Sequence, residues 1–284
     1  MRLGLLTNSL SQVGWDLDRI AAWASENGIK YLEVGPAVPL DIKLFWDIQR
    51  KYDVSICGLI YCRNFLSDDP EEAELHRKNL RERIKVAGQL GKDTVVITST
   101  GRPQDVDVTT GLTKGLEPVI TFLEEMLELA EQHDVRIAIE NCPVMGNIAV
   151  SPYMYELLFE RIQDHRLGWA YDPSHLFFQF CDVYEPIAAF GDRIYHFHAK
   201  DTFVDEKLLA KTGTMAEQSW WRYTLPGKGQ IQWDRILSEL QKSGYSGIIS
   251  IEHEDPYWSE TPEKVTEGIL EAKKHLEEFK NFTC

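Results

Sequence analysis

Short apolar runs alternate with longer amphipathic segments along the chain. The first apolar run, residues 2–7, predicts a strand, and residues 16–26 follow with apolar side chains at helical spacing and an Asn-Gly end. The same order then repeats to the end of the sequence. Further strands are predicted at residues 31–35, 54–60, 94–98, 136–140, 167–171, 193–201 and 247–252. Further helices are predicted at residues 40–51, 71–90, 116–133, 153–160, 177–190, 233–242 and 262–279.

Eight strands that alternate with eight helices indicate one particular fold class. The alternation implies parallel strands, and eight units in 284 residues favour a closed α/β barrel over an open doubly wound sheet. An open dinucleotide-binding sheet would need a glycine-rich turn after the first strand, and residues 7–14 do not contain GxGxxG. No linker rich in Pro, Gly or Ser interrupts the pattern. We therefore predict a (β/α)8 TIM barrel, as a single domain over residues 1–284.

The composition excludes several classes of protein. The chain carries 30 basic and 45 acidic residues, a net charge of −15 that repels nucleic acid and anionic membranes, and no basic patch offsets it. No apolar run approaches the roughly 20 residues of a membrane span, and the first residues lack the features of a signal peptide. Five cysteines without CxxC spacing predict reduced thiols. We expect a cytoplasmic protein with neither a nucleic-acid nor a membrane partner.

Chemical side chains close the last four predicted strands. In a barrel the active site lies where the strands end, and strands five to eight end at Glu140, Asp172, His198 and Glu252. Three carboxylates and one imidazole form an oxygen-rich ligand set that suits Mn²⁺, Mg²⁺, Co²⁺ or Zn²⁺. The four strand ends together therefore predict a metal site better than they fit an ordinary polar rim.

Strand parity supports a common direction for these side chains. The residues two positions earlier are small on three of the four strands, as crowded barrel-interior positions require, namely Ala138, Ala170 and Ser250. On the seventh strand the corresponding residue is His196, which shares a face with His198 and Lys200. His196 is large for that place. It is interpreted either as a partner of the metal ligands or as a packed core histidine.

The motifs at these strand ends also resemble a known family. The chain is similar to the sugar phosphate isomerase/epimerase superfamily of xylose-isomerase-like barrels in the segments IENCP, YDPSH, HFHAKD, LPGKGQIQW and SIEHED, which begin at residues 139, 171, 196, 225 and 250. The resemblance implies that Glu140, Asp172, His198 and Glu252 bind one divalent metal, with Mn²⁺ the first expectation. It also implies that Glu140 and Glu252 act as an acid/base pair.

The resemblance extends to residues near the ligands. It implies that His175, three residues after Asp172, contacts substrate and supports the metal, that Lys200 faces the substrate and that Asp201 braces Lys200. The alternative for His175 is a histidine that only starts a helix, and the alternative for Lys200 is an ordinary surface lysine. The long segment 202–232 predicts a lid or binding loop, in which Trp221 could stack on a sugar and Arg222 could pair with an anion or hydroxyl. The aromatic residues could equally pack the loop or a subunit interface.

The implied reaction is isomerisation or epimerisation of a keto sugar or cyclitol. It begins with removal of a proton next to a carbonyl, and the metal stabilises the resulting enediolate. A lyase or dehydratase, acting on an inosose or a 3-keto glycoside, would use the same step, and a non-catalytic sugar-binding or assembly subunit is the alternative of another class. A DNA-repair branch of the superfamily has three zincs and a basic surface, which this chain lacks. The sequence shows no Lys/Arg clamp for a phosphate, so it does not support a phosphorylated substrate. A homo-oligomer is compatible with the sequence.

Overall fold

Eight parallel strands form a closed barrel in the part of the chain that the structure describes. The computed structural model describes residues 1–144, 146–215, 217 and 219–279. The barrel strands and a separate pair are, in chain order, Arg2–Leu6 (β1), Tyr31–Val34 (β2), Ser55–Tyr61 (β3), Val95–Thr98 (β4), Arg136–Glu140 (β5), Leu167–Tyr171 (β6), Ile194–Ala199 (β7), Asp201–Val204 (β8), Trp221–Thr224 (β9) and Ile248–Ile251 (β10). The barrel closes in the order β1-β10-β7-β6-β5-β4-β3-β2, whereas β8 and β9 form a two-stranded antiparallel sheet. The predicted TIM barrel is confirmed.

Helices follow the barrel strands on the outside. They are Asn8–Gln12 (α1), Leu17–Glu26 (α2), Ile42–Tyr52 (α3), Pro70–Leu90 (α4), Leu116–His133 (α5), Pro152–Arg161 (α6), Pro173–Phe177 (α7), Glu185–Phe190 (α8), Glu206–Thr212 (α9), Trp233–Lys242 (α10) and Pro262–Glu277 (α11). Short side chains fix several of their starts. Asp69 accepts hydrogen bonds from the amides of Glu71 and Glu72 and Pro70 occupies the first turn, so α4 begins where residue chemistry favours it.

Strand alternation divides the apolar residues into two layers, as the parity of the strand ends predicts. Ala138 and Ala170 face the barrel interior, in a small apolar cluster with Leu6, Ile60, Cys62, Val95 and Ile97. Ile139, Tyr171 and Ile251 face outward and belong to the larger core between barrel and helices. There Tyr155 of α6 stacks on Trp169 of β6 at a ring separation of 3.6 Å, and its hydroxyl donates to the Ile139 carbonyl.

The prediction of a single helix over residues 177–190 was wrong. The structure has α7 and α8 instead, separated by a turn. Phe180 in that turn has a positive φ of 60°, which a continuous helix does not allow. Asp182 accepts hydrogen bonds from the amides of Tyr184 and Glu185, so a new helix starts there.

The long segment after β7 is also more ordered than a plain loop. It folds as the β8–β9 hairpin with α9 between the two strands. Among the described residues, no helix combines the length and apolar character that crossing a membrane requires. Cys57, Cys62, Cys142 and Cys181 are free thiols, and Cys284 lies outside the described residues.

Candidate active site

The four predicted strand-end ligands meet at one end of the barrel. One ligand atom from each of Glu140, Asp172, His198 and Glu252 lies within 4.8 Å of those of the other three, and all four residues are buried. Strand register explains the convergence. Glu140 pairs with Ala170, two residues before Asp172, and His198 pairs with Ser250, two residues before Glu252. The tilt of barrel strands turns that offset into a common height around the axis.

Two carboxylate oxygens of this cluster have no hydrogen-bond donor among the described residues, which bears on whether the cluster suits a cation. Asp172 Oδ2 and Glu252 Oε2 are buried and form no hydrogen bond of acceptable geometry. Lys200 Nζ lies 3.2 Å and 3.0 Å from these two atoms, so one cation already approaches them. Buried carboxylate oxygens need a hydrogen bond or a positive charge nearby. The donor set therefore fits a divalent metal chemically.

His198 is held from both sides of its ring. Its Nδ1 lies 3.0 Å from Glu140 Oε1 and 3.2 Å from Glu252 Oε2, whereas its Nε2 lies 3.1 Å from both oxygens of Glu33. Burial alone would lower the pKa of His198, but the surrounding carboxylates outweigh it and raise the pKa well above its usual value. Of the two ring nitrogens, Nδ1 is the one that faces Glu140 and Glu252.

The two glutamates of the cluster differ in their electrostatic surroundings. Burial raises the pKa of both, but hydrogen bonds and charge from His175 and His198 bring the pKa of Glu140 well below its usual value. For Glu252, burial prevails over the nearby cations and raises its pKa to about 8. Environments that separate the pKa values of paired carboxyl groups are typical of acid/base sites.

Asp172 is fixed by Asn141, which follows β5, and by the start of α7. Asn141 accepts a hydrogen bond from the Asp172 amide at 2.9 Å and donates to the Asp172 carbonyl at 2.8 Å. Asp172 Oδ1 accepts from the Ser174 amide at the start of α7, which leaves Oδ2 directed toward the cluster. His175 in the same helix places Nε2 3.3 Å from that oxygen, and its Nδ1 lies 2.7 Å from the hydroxyl of Tyr223.

Lys200 is not a surface residue. It is 1% exposed, and its ammonium lies 2.9 Å from Glu254, 3.0 Å from Glu252 and 3.2 Å from Asp172. Burial alone would lower the pKa of Lys200, but these carboxylates raise it well above its usual value. A lysine held charged in this way contributes positive charge and hydrogen-bond donors, and it is not a base.

A pocket of about 260 Å³ opens onto the cluster. Its wall includes Asn8, Cys62, Arg63, Glu140, His175, Lys200, Trp221, Tyr223, Glu252 and Glu254. Trp221 and Tyr223 come from alternate positions of β9, and Trp221 stacks on Phe178 at 3.8 Å between ring centroids. A cavity of this size suits one monosaccharide or cyclitol ring.

Two predicted residues do not join the site. Arg222 lies between Trp221 and Tyr223 and therefore projects from the opposite face of the hairpin, where its guanidinium is 3.7 Å from Asp255 and packs over Tyr257. The carboxylate of Asp201 accepts hydrogen bonds from the loop around Gly227 and from Trp233 Nε1 rather than from Lys200. Asp201 thus orders the connection to α10.

Two residues of the cluster were not foreseen. Glu33 lies inside the barrel on β2, where it contacts His198 and His196. Because Leu32 and Val34 belong to the outer core, alternation already indicates that Glu33 faces inward, but attention to strand ends alone passes over it. Glu254 contacts Lys200 two positions after Glu252. The same alternation could have pointed to Glu254, since it lies two positions after Glu252.

Fold and site together define a class of protein, namely single-domain TIM barrels with an acidic–histidine cluster at the carboxyl ends of the strands. The chain belongs to the xylose isomerase-like TIM barrel family, whose sequence model matches residues 21–278. This family lies within a superfamily of sugar isomerases, epimerases and inosose dehydratases.

Individual relatives cover nearly the whole chain at low identity. The uncharacterized protein YfiH of Bacillus subtilis is 26% identical over 96% of this chain and 98% of its own length. An inosose dehydratase of Clostridium perfringens is 22% identical over 89% of this chain and 86% of its own length. The crystal structure of IolI protein with a bound zinc atom superposes with a TM-score of 0.77 at 20% identity and covers all of both chains. That last likeness shows the fold.

Proposed function

We propose that this protein is a divalent-metal-dependent isomerase or epimerase of a keto sugar or cyclitol. The observation that carries the proposal is the convergence of Glu140, Asp172, His198 and Glu252 at the base of a pocket sized for one sugar ring. These four residues would hold the metal. When bound, the metal supplies Lewis-acid polarisation of the substrate carbonyl.

The chain's own residues move the protons. Glu140, whose pKa is held low, is the candidate base that removes the proton next to the carbonyl, and Glu252 is its candidate partner in returning one. Lys200 and His175 both lie close to Asp172 Oδ2, and they orient substrate hydroxyls through hydrogen bonds. Trp221 and Tyr223 form an aromatic wall of the pocket and exclude water from one side.

Dehydration is the second candidate reaction. Curated relatives that span most of this chain include inosose dehydratases, and elimination begins with the same proton removal. The additional requirement is an acid that protonates the leaving hydroxyl. Glu252, the second carboxyl group of the pair, is the candidate for this role.

The test combines metal analysis with solvent deuterium exchange. Purified protein is assayed for bound divalent metal, then incubated in D₂O with ketohexoses and an inosose, and the products are followed by NMR and mass spectrometry. We expect deuterium at the carbon next to the carbonyl. An isomerase or epimerase conserves the water content of the substrate, whereas a dehydratase product lacks one water.

Two matched variants decide the roles of the glutamates. Glu140→Gln and Glu252→Gln preserve size and remove the ionisable oxygen. Loss of general acid or base catalysis lowers rates by about 10²- to 10⁴-fold. If both variants are folded and metal-loaded yet exchange the substrate proton at the wild-type rate, the proposal is wrong.

A further inference from the structure

A buried carboxylate lies beneath the proposed metal site, on the far side of His198 from the pocket. Glu33 is fully buried on β2. In the barrel, β1 lies between β2 and β10. Glu33 Oε2 lies 2.8 Å from His196 Nε2, and both oxygens of Glu33 lie 3.1 Å from His198 Nε2. Glu33 therefore contacts a proposed ligand without reaching the pocket.

The surroundings of Glu33 do not favour a charge without a specific partner. The inner apolar layer of the barrel contains aliphatic side chains, and a carboxylate moved there from water is strongly disfavoured unless it is hydrogen-bonded and paired. The carboxylate has such partners, since its oxygens lie 2.8 Å from His196 Nε2 and 3.1 Å from His198 Nε2. The two imidazoles thus supply the hydrogen bonds that its burial requires.

The chemistry of the hydrogen bond assigns the tautomer of His198. A carboxylate only accepts, so the nitrogen that contacts Glu33 must carry the proton. Nε2 is that nitrogen, and a neutral imidazole with its proton on Nε2 has a lone pair on Nδ1. Nδ1 is the atom directed at Glu140 and Glu252.

We infer that Glu33 is a positioning residue that fixes the ring orientation and tautomer of His198, so that Nδ1 is presented to the metal. The inference rests on the proposed function, since it assumes that His198 binds a cation. Carboxylates that accept from the outer nitrogen of a ligating histidine orient the ring and increase its basicity. His196, which also lies 3.0 Å from Ser250 Oγ, holds the second side of the Glu33 carboxylate.

A second cation at this place would be a different explanation. Glu33, His196 and His198 have ligand atoms close enough to surround an ion. That arrangement would require the His198 ring to bind ions through both nitrogens at once. The hydrogen-bonded arrangement satisfies the same atoms with one proton on each contact, and the two explanations predict different metal stoichiometries.

The test compares Glu33→Leu and Glu33→Gln with Thr94→Val. Leucine removes charge and acceptor, and glutamine keeps size and one acceptor. Thr94 is a matched control because it is buried in the barrel wall and its hydroxyl donates to the Ile56 carbonyl at 2.9 Å, and among the described residues it forms no hydrogen bond to His198. Co²⁺ and Zn²⁺ affinities and stoichiometries are measured by titration calorimetry, with thermal melts to confirm folding.

We expect Glu33→Leu to bind either metal about 10- to 100-fold more weakly than wild type, with Glu33→Gln between them and Thr94→Val unchanged. The Co²⁺ absorption bands should shift in Glu33→Leu, because the ring is free to rotate. In the Zn²⁺-loaded wild type, NMR should show a slowly exchanging Nε2 proton of His198, which the leucine variant loses. Glu33→Gln supplies the comparison where the leucine variant does not fold.

The outcomes separate the two proposals. Wild-type protein that binds neither metal overturns the proposed function. Wild-type protein that binds one metal, with unchanged affinity and unchanged His198 and Co²⁺ spectra in both Glu33 variants, leaves that function standing and overturns the positioning role. A second equivalent of metal in wild type that disappears in Glu33→Leu also overturns it, in favour of a cation site.

Discussion

The two halves of the barrel end in different chemistry. On one side, β5, β6, β7 and β10 lead into Glu140, Asp172, His198 and Glu252, which gather around one point. On the other side, β1 to β4 lead into Thr7, Gly35, Cys62 and Ser99. The backbone geometry is shared, so the difference lies in which side chains stand at equivalent positions.

The hydroxyl groups at the ends of β1 and β4, on what we call the neutral half, are used within the loops of that half. The Thr7 hydroxyl accepts from the Gly35 amide at 2.9 Å, and the Thr98 hydroxyl donates to the Tyr61 carbonyl at 3.0 Å. Ser99 bonds to both the amide and the carbonyl of Arg63. In the charged half, by contrast, buried oxygens of Asp172 and Glu252 stay without hydrogen bonds. The comparison suggests a wall on one side and a reactive centre on the other.

Metal affinity should depend far more on a strand-end residue of the charged half than on one of the neutral half. Asp172→Asn keeps the cap on the Ser174 amide, since asparagine also caps helices, but removes a charged oxygen from the cluster. Changes to residues that merely support a ligand weaken metal binding by 10- to 100-fold. We expect loss of a ligand to weaken it by more than about 100-fold, measured by calorimetry with Mn²⁺, Co²⁺ and Zn²⁺.

Thr98→Val is the control from the neutral half. It removes one buried hydroxyl at the end of β4 and should lower the free energy of unfolding by about 1 kcal/mol, with metal binding unchanged. Equal losses of metal affinity in Asp172→Asn and Thr98→Val would show that the contrast between the halves concerns stability alone.

Much of this contrast could be predicted from the sequence. The alternation of eight strands with eight helices predicts the barrel, and the period of two within the strands places Glu140, Asp172, His198 and Glu252 on the inner face. The turn after α7 could not be foreseen from apolar spacing, because a positive φ at Phe180 is a conformation that its residue type rarely adopts. Residues distant in the sequence set the remaining contacts. Glu33 and His198 are 165 positions apart, and only the closed barrel brings them together.

Protons bound to the charged half are expected to have a second, smaller effect on metal affinity. A divalent metal requires an ionised Glu252 and an unprotonated Nδ1 on His198, and both pKa values are raised. Glu252 is therefore mostly protonated as the pH falls below about 8, the raised pKa of His198 acts in the same direction, and metal must displace those protons. We expect affinity to fall about tenfold per pH unit for each proton displaced, hence 10- to 100-fold between pH 8 and pH 7.

Calorimetry in buffers of different ionisation enthalpy counts the released protons directly. Wild type and Thr98→Val should release the same number on metal binding, and Glu252→Gln about one fewer. Affinity that stays constant between pH 6 and pH 8 would contradict the raised pKa values at this half of the barrel.

The smallest effect concerns the hairpin that covers the charged half. Trp221 lines the pocket and Arg222 points away from it, so Trp221→Ala should raise KM by about tenfold through lost stacking and shape, whereas Arg222→Ala should change KM by less than about twofold. Steady-state kinetics on the substrate found in the deuterium screen checks both values. A larger rise in KM for Arg222→Ala than for Trp221→Ala would mean that the hairpin presents its other face to substrate, as the arginine's sequence position first suggested.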